Sequence, residues 1–217
     1  MKSKAYAALW IVGLTIGWFE ASIVIYLRAL FYPGGFAFPM VEMPMPLLGI
    51  EVAREACSLI LLAAIAYLAG TRRADRWGAF LLLFGIWDLT YYAALKLVLG
   101  WPAGFDVGTW DVLFLIPLPW AAPMWAPSLV AAEFVAIGSY LVFTRDRARA
   151  YRAIDVAILV LAALIIVGSF LAEWRAVAES RVPEHFPAGV FAFGFVLGTG
   201  WLIAIERATR GTPPRQE

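Results

Sequence analysis

Six long runs of apolar residues dominate this chain and decide what it can fold into. Each approaches the roughly 20 residues that a helix needs to cross the ~30 Å hydrocarbon core of a bilayer. The runs are continuous, unlike the alternating segments of about ten residues that build membrane barrels, so they predict helices. A soluble domain of 217 residues that is 63% hydrophobic could not hide its apolar surface in one core. Lipid makes the composition sensible, because a helix satisfies its own backbone N–H and C=O groups there.

The runs place spans at about 6–31, 47–68, 77–99, 128–144, 153–174 and 189–205. The basic start, Lys2 and Lys4, followed by an apolar run, is similar to a signal peptide. Glu20 inside the run, the run's length and the lack of a small-residue cleavage site predict a retained span instead. Between spans 3 and 4 lies WDVLFLIPLPWAAPMWAP, residues 110–127, apolar but broken by Pro117, Pro119, Pro123 and Pro127. Prolines so close together cannot sit in a regular spanning helix. Residues 112–127 are expected to form a short interfacial helix or a re-entrant segment lining a cavity. The fold class is therefore all-α: a polytopic bundle of six transmembrane helices with a proline- and tryptophan-rich outer segment, in a single membrane domain.

Orientation follows from where lysine and arginine fall. Lys2, Lys4, Arg72, Arg73, Arg76, Arg145, Arg147, Arg149, Arg152, Arg207, Arg210 and Arg215 map to one side, and only Arg175 and Arg181 to the other. That asymmetry predicts cytoplasmic N- and C-termini. Trp101, Trp110, Trp120, Trp125 and Trp174 then form an aromatic belt on the outer side.

Several chemistries lose their residues. The single cysteine, Cys57, excludes an internal disulfide, a CxxC motif and a cysteine-based zinc site. The single histidine, His185, lies in a predicted loop, which removes the usual ligands for haem, di-iron and most zinc chemistry. Met40, Met43 and Met45 offer thioethers suited to Cu(I), but no cysteine or histidine supports them in that loop. No metal or cofactor is expected. With a net charge of +1 and no basic arm, nucleic acid is not expected as a partner either.

Ionisable groups inside a bilayer are costly and mark functional sites by default. At about 1.5 Å of rise per residue, Glu20 lies roughly 20 Å into span 1, with Arg28 two turns further out. Glu51, Arg54 and Glu55 share one face of span 2 by i, i+3 and i+4 spacing. Asp88, Tyr92 and Lys96 form a stripe on span 3 with Tyr91 beside it, and Glu133 lies about two turns into span 4. All fall in the middle and outer half. They predict a polar cavity between the first four spans, open outward and roofed by the proline-rich segment, with Lys96 or Arg54 pairing the carboxylates. Five acids against three bases leave two carboxyls over, to be neutralised by protons or by a bound cation. Intramembrane ion pairs can also serve only to lock helices together.

Gly13 and Gly17, like Gly194 and Gly198, are spaced for close helix packing. The stretch Glu51-Val-Ala-Arg-Glu55 is similar to one motif of undecaprenyl-pyrophosphate phosphatases, but the serine- and arginine-containing loop of those enzymes has no counterpart here. GWFEASIVIYLRALFYPGGFAFP, EVAREA, FGIWDLTYY and WDVLFLIPLPW resemble a group of uncharacterised bacterial polytopic membrane proteins. That resemblance implies a bacterial inner membrane and no particular activity.

Three functions fit this pattern. The first is binding or transport of a small cationic or zwitterionic ligand in the outward cavity, a plan similar in architecture to the substrate-binding components of vitamin importers. The second is an enzyme acting on a lipid or isoprenoid at the outer leaflet. There Glu55 or Asp88 would move protons, Arg54 and Lys96 would hold an anionic head, and Tyr91 and Tyr92 would orient it. The third is an accessory subunit that docks other membrane proteins through its tryptophan-rich face. An open cavity favours the first two, and a closed bundle with every carboxylate paired favours the third.

Overall fold

A computed structural model describes the whole chain except residues 1, 36–40, 42, 105–108, 114–119, 145–150, 180 and 211–217. In chain order the elements are α1 (Lys2–Phe31), α2 (Met45–Ala69), α3 (Arg73–Leu99), β1 (Trp110–Leu113), β2 (Trp120–Pro123), α4 (Trp125–Phe143), α5 (Ala153–Phe170), α6 (Trp174–Ala178) and α7 (Ala188–Arg210). Six of the helices, all but α6, are long and apolar enough to cross a membrane. Large apolar side chains cover their outer surfaces, among them Ile11, Phe19, Leu30, Ile60, Leu68 and Val196. Such a continuous apolar exterior suits lipid.

Local sequence sets the helix ends. Pro46 stands in the first turn of α2, where its missing N–H costs nothing. α3 and α5 open alike: Asp75 and Asp155 accept the backbone N–H of Arg72 and Arg152, at 3.2 and 2.9 Å. Gly100 closes α3 with φ of 68°, a left-handed cap that few other residues adopt.

α3 is the centre of the fold and packs against α1, α2 and α4. Glycines allow the close approach. A Cβ on Gly85 would overlap the Ala131 carbonyl, and one on Gly138 would overlap the Leu82 amide. Gly13 and Gly17 seat α1 against Ile86 and the Trp87 carbonyl of α3, and Gly194 seats α7 against Ile165 of α5. A core of Leu9, Leu62, Leu82, Leu83 and Ile86 fills the space between α1, α2 and α3. α5 and α7 pair with each other.

Of the two forms expected for the proline-rich segment, the interfacial helix is absent from its described residues, while its strand residues line a cavity, as Trp110, Val112 and Ala121 do. Instead of a helix, its described residues make an antiparallel strand pair, with Trp110 opposite Pro123 and Leu113 opposite Trp120. Pro123 ends the strand and Pro127 falls in the first turn of α4, both places that tolerate a missing N–H. Pro117 and Pro119 lie outside the described residues. The strand pair bridges the two helix groups, touching α4, α5 and α6. Phe170, Phe191 and Ala126 pack with Ala122 of β2 to hold it there. The fifth span is also shorter than expected: α5 stops at Phe170, and the short α6 packs Val177 under Trp110 and Ala121.

Candidate functional site

A cleft of about 1830 Å³ runs between α2, α3 and α4 on one side and α5 and α7 on the other. It is wider in extent than the cavity expected between the first four helices, because α5 and α7 supply a wall. Val41 and Met45 stand exposed at its strand end, and Arg72 and Arg73 at the opposite end, so it opens at both. Exposed Val156, Val160 and Ala163 of α5 also line it, which opens it sideways along that helix.

Its strand end is ionic. Arg54 Nε donates to Glu51 Oε2 at 2.8 Å, one turn away on α2. The same guanidinium bonds Glu20 of α1 through Nη1, and its Nη2 lies 3.6 Å from Glu55 Oε1. Ser58 Oγ donates to the other oxygen of Glu20 at 3.0 Å. One cation therefore serves three carboxylates, which the i, i+3, i+4 spacing on α2 makes feasible. Glu55 comes off worst. Its Oε2 is buried and has no hydrogen-bond partner among the described residues.

A second layer lies on α3 and the strand pair. Asp88, Tyr91 and Tyr92 all line the cleft. The Asp88 carboxyl makes no side-chain hydrogen bond among the described residues. Tyr92 Oη donates to Asp111 Oδ2 of β1 at 2.6 Å. Burial pushes the Asp111 carboxyl up from its ordinary range, while the Tyr92 hydroxyl and then the Arg28 charge hold it down. Arg28 stacks its guanidinium over Trp101, 4.1 Å from the ring centroid. Asp111 was not among the residues expected from sequence. The signal was present: it is the one charged residue between Thr109 and Pro127.

Two expected residues sit differently. Lys96 is not part of the cleft wall and pairs with no carboxylate among the described residues. Its Nζ donates to the Pro102 and Ala103 carbonyls at 2.8 and 3.1 Å, and more weakly to that of Gly100. It ties down the chain where α3 ends, a cation placed at a helix C-terminus. Glu133 does line the cleft, but away from Arg54, and its carboxylate accepts a hydrogen bond from Thr199 of α7.

The indole nitrogens of Trp87 and Trp120, both in the cleft wall, are buried without hydrogen-bond partners among the described residues. Of the loop methionines, Met43 and Met45 border the cleft and Met40 lies outside the described residues.

Among the described residues lining the cleft, Glu20, Glu51, Glu55, Asp88, Asp111 and Glu133 share its strand end with the cations Arg28 and Arg54, and Arg72 and Arg73 lie at the other end. The site thus combines an acidic head with a long apolar body walled by residues such as Leu81, Phe84, Phe134 and Ile137. Such a chain is an integral, multi-pass membrane protein. No protein family, curated protein or solved structure matches it.

Proposed function

We propose that this protein binds, and in doing so carries or presents, a small cationic or zwitterionic ligand in the acidic strand end of its cleft. One observation carries the reading. Arg54 is shared among three carboxylates, and it leaves Glu55 Oε2 buried and without a hydrogen-bond partner among the described residues, beside a cleft that also holds Asp88. An unsatisfied buried carboxylate oxygen costs stability unless a partner arrives. A ligand ammonium is a partner that removes the deficit once the Glu55 carboxylate turns into the cleft that the residue lines. A network that served only to lock helices would pair all its carboxylates within a closed bundle.

The distribution of lysine and arginine supports placing the strand end outside and both termini in the cytoplasm, in a bacterial inner membrane. The ligand then arrives from the outer side.

Native mass spectrometry of the protein purified in a mild detergent tests the reading. A stoichiometric cationic or zwitterionic molecule should accompany the wild-type protein and be lost in Glu55→Gln. A bare protein, or one that arrives only with other protein chains, would favour the accessory-subunit reading.

A further inference from the structure

Resting on that reading, we infer that the ligand is a cationic amphiphile: an ammonium head at Glu55 in the acidic strand end, and one alkyl or acyl chain laid along the cleft past Asp88 toward Trp77. The first reason is size. The cleft holds about 1830 Å³. Ligand pockets for ordinary small molecules are roughly 300–1,000 Å³. A head group alone would leave the apolar length of the cleft empty, and the volume has room for a chain there.

The second reason is the order of the wall. The carboxyls lie toward the strand end, and below them α3, α4 and α5 present Leu81, Phe84, Phe134, Ile137 and Leu159. From Asp88 down to Trp77 is eleven residues of α3. At 1.5 Å per residue that is roughly 16 Å. It is about half of the ~30 Å hydrocarbon thickness, the reach of one leaflet's chain. The third reason is access. Val156, Val160 and Ala163 are exposed and also line the cleft, so the apolar stretch opens sideways where lipid lies. A chain can slide in from the leaflet while the head stays at the wet strand end. The carboxyl excess at the head selects a cation over an anion.

Fluorescence of the cleft tryptophans Trp87 and Trp120 can follow binding in a nonionic detergent. The probes are tetradecyltrimethylammonium, tetramethylammonium and tetradecyl sulfate. Expected is tight binding of the long cation, binding at least a hundredfold weaker of tetramethylammonium, and no saturable binding of the sulfate. Ala163→Phe, which fills the tail region from an exposed position, should weaken the long cation at least tenfold and leave tetramethylammonium within twofold. Leu164→Phe, on the same helix but outside the cleft, should change neither. Equal affinity for the two cations, no effect of Ala163→Phe on the long one, or saturable binding of the sulfate as tight as that of the long cation would overturn the amphiphile while leaving a cation site. Failure of the wild-type protein to bind either cation would overturn the cation site itself, and the amphiphile with it.

Discussion

Tyr92 and Asp111 are joined by a 2.6 Å hydrogen bond that ties the middle helix of the bundle to the strand pair over its end. Nineteen residues separate them in sequence. Asp111 is half-buried, and losing the hydroxyl takes the hydrogen-bond donor from its Oδ2. Tyr92→Phe should therefore destabilise the protein by about 1–3 kcal/mol. Thermal unfolding in detergent checks this, and an unchanged unfolding temperature would mean that the strand pair is held by its aromatic packing alone.

The same carboxyl gives a pH dependence. Burial raises Asp111 in the folded state above its unfolded value, so the folded protein holds a proton that the unfolded chain has lost. In that interval stability falls as pH rises. It is highest below the ordinary aspartate range and levels off once pH has passed the folded-state value. Asp111→Asn should remove this component. The stability difference between wild type and Asp111→Asn, followed against pH, should shrink or change sign as pH rises from the acid side. A difference that grew with pH would mean that Tyr92 and Arg28 outweigh burial.

Arg54 and Glu55 are neighbours with different prospects. Removing Arg54 strands three carboxylates at once, and Arg54→Ala should cost about 3–5 kcal/mol, enough to abolish folded protein in many membrane hosts. Arg54→Lys should recover only part, because an ammonium cannot fork to several carboxylates as a guanidinium does. Glu55→Gln removes a charge whose pairing is already incomplete, and its stability should stay within about 1 kcal/mol of wild type while ligand binding drops at least tenfold. Size-exclusion profiles paired with binding titrations separate the two. A Glu55→Gln protein that failed to fold would assign Glu55 to the scaffold.

Lys96 should behave as a scaffold residue. Its ammonium holds the Pro102 and Ala103 carbonyls, so Lys96→Met should lower stability by roughly 1 kcal/mol and leave cation binding unchanged. Altered ligand selectivity in this variant would return Lys96 to the site.

The glycines divide just as sharply. Gly138→Ala forces a methyl into the backbone of Leu82 on α3 and should cost about 1–3 kcal/mol. Gly200→Ala meets nothing within 4 Å and should be neutral or stabilising by up to about 1 kcal/mol. Unfolding temperatures of the pair check both. Similar behaviour of the two would mean that α3 and α4 do not meet closely at Gly138 and Leu82.

The six spans were legible because length and continuous hydropathy suffice for a helix in lipid. The face of α2 was legible too, because Glu51, Arg54 and Glu55 fall on one side of any helix that contains them. What sequence could not supply was distance between elements. Lys96 shares a stripe with Asp88, yet it lies near the end of α3, where unpaired carbonyls compete for its ammonium. Asp111 belongs to a strand of four residues amid prolines, too short and too irregular for any periodicity to register. The wall supplied by α5 and α7 was hidden for another reason: those helices carry few polar residues toward the cleft, and apolar residues read alike whether they face lipid or a cavity.

The most direct measurement is the accessibility of Val52, which lines the cleft one turn from Glu55. A Val52→Cys substitution is made in a Cys57→Ser background, since Cys57 is exposed. Intact cells are then treated with membrane-impermeant thiol reagents bearing either a trimethylammonium or a sulfonate group. A cleft that is acidic and open outward predicts labelling from outside, faster with the cationic reagent, and protection by an ammonium ligand. No labelling, or faster labelling by the sulfonate, would contradict it.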